Sequence, residues 1–229
     1  MTLLVYLLTA YLVVPAGWRF YARRHPPLPG IPRITHTGNG IAGDPLNVAL
    51  VGSEAEVQSA MLAAHWFPAD PITLRSSLRI AAGTVLRRPY DTAPVSNLYL
   101  FGRKEDLAFE QSVGDDPRRR HHVRFWRAGM LESLGRPLWV GSATFDIRVG
   151  FSHRTGQITH HVDADIDRER NKLLDDLRTA GQLVDLYWLN GFQTHREGRN
   201  GGGDRYVTDG NLPIAVLPVR ADLAQTERK

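Results

Sequence analysis

The sequence predicts an α+β fold, a single domain with a mostly antiparallel sheet and about three helices, preceded by one N-terminal apolar helix. Three observations point there. Apolar residues recur at helical spacing early and late in the chain, alternate with period two from Ser96 to about residue 163, and show no internal repeat. The 229 residues carry 28 Lys and Arg against 24 Asp and Glu, a net charge of +4, and 42% are apolar. That is enough apolar material for one domain core and excludes disorder throughout. There is no Cys, so disulfide frameworks, thiolate metal centres and a Cys nucleophile are excluded. Only Lys104, Lys172 and Lys229 are lysines, so nearly all positive charge is guanidinium, which suits paired contact with carboxylate or phosphate.

From Thr2 to Trp18 no residue is charged. As a helix this run rises about 25 Å, a little short of a hydrocarbon core of about 30 Å. Arg19, Arg23 and Arg24 follow the run rather than precede it, unlike a cleavable signal, and Trp18 and Tyr21 suit a membrane interface. Residues 1–20 are therefore expected to be an uncleaved anchor, single-pass in the cell membrane, with the globular domain on the cytoplasmic side. A helix buried in the domain and a cleaved signal are the alternatives. Residues 21–46 hold Pro26, Pro27, Pro29, Pro32 and Pro45 with Gly30, Gly38, Gly40 and Gly43, and read as a tether whose later part lies on the domain.

The domain is expected over residues 47–217, with a polar tail at 218–229. It opens with a short apolar strand, Asn47 to Val51, then Ser53 with Glu56 three residues on, the signature of a capping box ahead of a helix. Asp70 as N-cap and Pro71 at the first helical position start a second helix, ended by Pro89; its Arg75 and Arg79, with Arg87 and Arg88, form either a solvated face or a contact for anionic headgroups. Strands follow at Leu98 to Phe101, Leu107 to Gln111, about 120–127, 138–154 and 157–163. A last helix begins near Asp167, taken as its N-cap, buries Leu173, Leu174 and Leu177, and ends at Gly181. Leu183 to Trp188 and Asn211 to Leu217 close the sheet.

Strand periodicity yields the candidate site. In 138–149, Trp139, Gly141, Ala143, Phe145, Ile147 and Val149 share a core face, so Ser142, Thr144, Asp146 and Arg148 share a polar one. A two-residue turn at Thr155 and Gly156 would pair Gly150 with His161, Arg148 with Asp163, Val149 with Val162 and Phe151 with His160, leaving His160 towards the core. Upstream, His122 and Arg124 share a face and can join Asp146, Arg148, His161 and Asp163. Two guanidiniums there could hold an anionic oxygen, and imidazoles with carboxylates could move protons or bind a divalent metal, although no specific metal-ligand spacing supports one. An ordinary solvated sheet face with Arg to Asp pairing is the bland alternative. The loop Gly198 to Asp204 lacks the ending of a phosphate-cradling loop; it is a turn, or a ligand-closing loop contributing Asn200 and Asp204. Nucleic acid is disfavoured, because the basic run 118–120 comes with no reading helix or recognition signature.

Five strings carry a resemblance: Asp44-Pro45-Leu46-Asn47-Val48-Ala49-Leu50-Val51-Gly52, Arg75-Ser76-Ser77-Leu78-Arg79-Ile80, Asn97-Leu98-Tyr99-Leu100-Phe101-Gly102-Arg103, Arg119-Arg120-His121-His122-Val123-Arg124-Phe125-Trp126 and Gly198-Arg199-Asn200-Gly201-Gly202-Gly203-Asp204. Over roughly residues 40–217 the chain resembles the LssY C-terminal-like domain family of bacteria. The resemblance implies an envelope-associated role, since the family is named after a proposed secretion component and its domain also occurs joined to multi-spanning membrane modules, including lipid-phosphate-phosphatase-like ones. It assigns no catalytic residues. The leading expectation is a membrane-anchored domain that binds an anionic small molecule or lipid headgroup, as an accessory to a membrane enzyme or transporter. The alternative is a hydrolase of a phosphorylated lipid or sugar.

Overall fold

The computed structural model describes residues 5–6, 8–14, 16–17, 30–69, 97–114, 119–131, 133–151 and 158–220. Most of the expected anchor flank, the helix expected from Asp70, the turn at Thr155 and Gly156 and most of the polar tail lie outside them. At the N-terminus a π-helical turn covers Thr9–Val13. Among the described residues no helix is long and apolar enough to cross a membrane.

The fold is α+β, one domain of mixed, largely antiparallel sheet. Strands β1 (Ile34–His36) and β2 (Ala42–Pro45) precede β3 (Val48–Val51) and helix α1 (Glu54–Ala63). Next come β4 (Phe67–Pro68), β5 (Tyr99–Leu100), β6 (Arg103–Lys104) and β7 (Leu107–Ser112). The long strands β8 (Arg120–Leu131) and β9 (Arg136–Phe151) lead to β10 (Ile158–Val162) and helix α2 (Ile166–Thr179). The described residues finish with β11 (Asp185–Leu189), β12 (Glu197–Arg199), β13 (Arg205–Val207) and β14 (Leu212–Val216). The main sheet runs β11-β14-β3-β9-β8-β7-β4, with β10 added to the projecting end of β9. Among the described residues only β14 and β3 pair parallel in it. A smaller sheet runs β2-β1-β5-β6, and β12 and β13 form a separate ribbon.

Alternation along the central strands builds two cores. On one face Val48, Leu50, Val123, Phe125 and Trp139 pack with Val57 and Met61 of α1 and Leu173 and Leu177 of α2. On the other, Ala49, Val51, Trp126, Val140 and Ile214 pack with Leu46, Leu98 and Leu100 from the smaller sheet. Each large side chain buried this way stabilises the fold by about 1.5–3 kcal/mol. Pro45 and Leu46 thus lie inside the domain, so the later part of the expected tether is packed structure.

Local sequence explains the elements. Ser53 Oγ accepts from Glu56 N at 3.2 Å while Glu56 Oε2 accepts from Ser53 N at 2.7 Å, the reciprocal box read from sequence. The turn between β5 and β6 puts Phe101 and Gly102 at φ 52° and 73°, the left-handed pair that a tight hairpin demands. Helix α2 differs from expectation at its start. Asp165, not Asp167, is the N-cap, accepting from Arg168 N at 3.1 Å. Asp167 instead accepts from Thr208 Oγ1 at 2.8 Å and from Asp209 N, so it docks the 208–211 turn onto the helix.

Candidate functional site

In β8 the residues Arg120, His122, Arg124 and Trp126 point to the face of the smaller sheet. Their cross-strand neighbours on β9 are Asp146, Thr144, Ser142 and Val140, and Glu110 of β7 stands opposite His122. The face therefore splits into an apolar half around Trp126 and a polar half. That polar half is buried: Glu110 is 1% exposed, Arg120, His122 and Arg124 3% each, Thr144 1% and Asp146 0%. The solvated sheet face weighed from sequence is not what forms.

The charges answer one another. Arg120 donates from Nη1 to Glu110 Oε2 at 2.9 Å and from Nε to Asp146 Oδ2 at 3.0 Å. His122 Nε2 lies 2.6 Å from Thr144 Oγ1 and 3.0 Å from Arg124 Nη1. A guanidinium only donates, so Nε2 is the acceptor and the ring proton sits on Nδ1, which lies 3.2 Å from Asp146 Oδ1 without a hydrogen bond between them. Arg124 Nη1 also lies 3.6 Å from Asp44 Oδ2 of β2. Burying ions costs several kcal/mol each, and pairing of this kind offsets that cost only when nearly every group is met.

The glycine loop closes the same network. Asn200 Nδ2 donates to Asp44 Oδ1 at 3.0 Å, and its Oδ1 accepts from Gly202 N and Asp204 N at 3.1 and 2.9 Å. Asp204 so placed lies 2.7 Å from His161 Nδ1 and accepts from Val162 N at 3.3 Å. His161 is 2% exposed and its ring lies over Gly150, where a Cβ would stand 2.8 Å from Nε2. A side chain at 150 would displace the imidazole, so glycine is the residue that fits.

The electrostatics follow. Burial works to raise the Asp146 pKa, but the facing His122 and His160 imidazoles and the Arg120 guanidinium outweigh it and hold the carboxyl below the usual carboxylate range. His160 is pushed down from 6.5 to about 4 by burial and by Arg120, His122 and Arg124, against the pull of Asp146.

Six of the eight residues expected from sequence, His122, Arg124, Asp146, His161, Asn200 and Asp204, are thus joined in one buried network. The other two are not. Arg148 is exposed at the open end of the face, where its Nη1 and the His161 ring both border the space a Gly150 side chain would take. Asp163 is no partner for it: β10 is shifted by two residues from the expected register, so Arg148 stands opposite His161 and Gly150 opposite Thr159. Val149 opposes His160 and Phe151 opposes Ile158 for the same reason. A bulge between His161 and Val162 then releases the chain, and Asp163 turns away to pair with Arg168. Two core expectations also change. Ile147 is 41% exposed because β9 has passed the end of β8 there, and His160 Nδ1 comes within 4.0 Å of Asp146 Oδ2 instead of joining the apolar core.

Sequence reasoning missed Asp44, Glu110, Arg120 and His160. Arg120 shares the parity of His122 and Arg124, so its signal was present in the strand pattern. Asp44 is brought in by tertiary folding alone. Among the described residues no group of three His, Asp or Glu side chains is placed to hold a metal ion. The arrangement can orient His161 through Asp204 at Nδ1, hold His122 through Thr144 and Arg124 at Nε2, and present one exposed guanidinium, Arg148, with no carboxylate partner among the described residues.

A family model described as LssY C-terminus matches residues 28–212. That span takes in every residue of the buried network. No curated protein matches the chain. No solved structure matches it.

Proposed function

The chain belongs to the LssY C-terminal family, and we propose that its domain binds an anionic ligand at the open end of the buried network. The observation that carries this reading is the contrast between Arg120 and Arg124, which the network's own carboxylates engage, and Arg148, which stands exposed beside it. Arg148 supplies the uncommitted positive charge, and the network beneath gives it a rigid floor. The wider proposal is that residues 1–20 anchor the domain, with the domain on the cytoplasmic side. Its ligand is then a phosphorylated small molecule or lipid headgroup, and its partner a membrane enzyme or transporter.

Thermal melting tests the ligand. Inorganic phosphate or pyrophosphate at about a hundred times its dissociation constant adds about 2.7 kcal/mol, or roughly 5–10 °C in Tm for a domain of this size. The shift is expected to vanish in Arg148→Ala while the ligand-free Tm holds. No shift with any anion removes the reading. Vesicles containing phosphatidic acid against vesicles of phosphatidylcholine alone separate a headgroup from a free phosphate. Retention of the full chain in membranes through a carbonate wash is expected for an anchor, and release refutes it.

A second reading, hydrolysis of a phosphorylated lipid or sugar, is favoured by the His161 imidazole backed by Asp204 at 2.7 Å, with the Asp146 carboxylate 3.2 Å from His122 in the same network. It requires turnover on a phosphoester panel that His161→Ala and Asp146→Asn abolish in folded protein. Turnover indifferent to both changes places the chemistry elsewhere.

A further inference from the structure

The residue beside His122 points the other way. His121 lies on the helix-covered face, where its Nδ1 is 2.7 Å from Glu169 Oε2 in the first turn of α2. Glu169 is 4% exposed, and its other oxygen, Oε1, is buried without a hydrogen-bond partner. The imidazole sits against Phe145, with centroids 4.7 Å apart, and near Trp66 at 6.1 Å, while 14% of its side chain reaches solvent. With Glu169 accepting, Nδ1 carries the ring proton and Nε2 offers its lone pair. Nε2 has no protein partner among the described residues. On the same face Arg119 is exposed, its guanidinium 5.8 Å from the Phe145 ring centre, and it too has no carboxylate partner among the described residues.

Glu169 thus spends one oxygen on His121 and keeps the other buried and unmet among the described residues, at a cost in free energy, as Glu110 Oε1 and Asp146 Oδ1 are on the opposite face. Costs of this kind persist where a function sets the residue. No third His, Asp or Glu joins the pair in metal-binding geometry among the described residues, so proton transfer is the chemistry it offers. We propose that His121, positioned by Glu169, is a general base for hydrolysis of a small carboxylic ester bearing an anionic group, and that Arg119 meets the anion. The oxygen of a water bonds to the acyl carbon as its proton passes to Nε2. The adduct then breaks its bond to the leaving alcohol, which takes the proton back from the imidazolium. The products are an acid and an alcohol, and nothing is oxidised or reduced.

Steady-state hydrolysis of 4-acetoxybenzoate by the full chain, with neutral phenyl acetate alongside, tests this. His121→Ala should lower kcat by about a hundredfold, the scale of general base catalysis. Glu169→Gln should lower kcat with KM unchanged and move the acid limb of the pH profile. Arg119→Ala should raise KM for 4-acetoxybenzoate but not for phenyl acetate. His195→Ala, an exposed histidine outside the pair, is the control. Diethylpyrocarbonate labelling of the unmutated chain avoids any folding defect: turnover should disappear in step with acylation of His121, mapped by mass. Absent turnover, or turnover that survives either His121→Ala or labelling of His121, overturns the proposal, whatever the anion titrations at Arg148 give.

Discussion

His160 is the side chain whose protonation most directly sets how the domain responds to acid. Its pKa is lowered from 6.5 to about 4 in the folded protein, so between those values the unfolded chain binds more protons than the folded one. Stability is therefore full above about pH 6.5 and is lost as the pH falls towards 4, by about 3 kcal/mol at most. Urea titrations across that window should show the slope, and His160→Asn should flatten it. Asp146 acts below it: its folded pKa is depressed, so its contribution is present above about pH 4 and falls away in stronger acid. Removing Arg120 tests the same cluster from the cationic side. Arg120→Met leaves Glu110 and Asp146 without the guanidinium that bridges them, and a loss of about 3–5 kcal/mol is expected in chemical denaturation. At this scale the sequence was partly legible. Parity placed His122, Arg124 and Asp146 together, but no pattern within 120–127 says that the face is covered, because what covers it comes from elsewhere in the chain.

The elements were legible where local rules decide them and illegible where pairing does. The capping box is an example of the first. Ser53→Ala should cost about 1 kcal/mol, the ordinary loss of a cap. Glu56→Ala should cost more, since Glu56 also accepts from Arg136 Nη2 at 2.7 Å and from Arg220 N at 2.9 Å, ties that a helix-start signal does not announce. The β9 and β10 pair is an example of the second. An even shift in register leaves side-chain parity unchanged, which is why His161 still reaches the polar side although its partner differs, whereas His160, close to the bulge, leaves the core for Asp146. The shift is what separates Asp163 from Arg148, and the bulge before Val162 breaks the register a second time. Gly150→Ala should disturb this ribbon, because the added carbon meets the His161 ring at 2.8 to 2.9 Å. Loss of the His161 to Asp204 contact, followed by imidazole chemical shifts, is the expected result.

Across the whole molecule, Asn47 shows how few side chains hold distant parts in place. It donates from Nδ2 to Ala143 O at 2.8 Å and to Ile166 O at 3.0 Å, and its Oδ1 accepts from Ala143 N at 2.8 Å. Asn47→Ala leaves the buried N–H and C=O of Ala143 unmet and takes a second donor from Ile166 O at the junction of β3, β9 and α2, and a fall of about 3 kcal/mol, or roughly 6–12 °C in Tm, is expected. The fold class was readable because periodicity is local; the parallel seating of β14 beside β3 was not, because nothing in either strand names its neighbour. That seating governs biosynthesis. Ala49 must wait for Val140 on one flank and for Ile214 on the other, so a ribosome has threaded almost the entire domain before the central strand is enclosed. A nascent chain halted short of Leu212 would display β3 as a raw hydrophobic margin, and such intermediates would be the ones that chaperones hold and proteases cut.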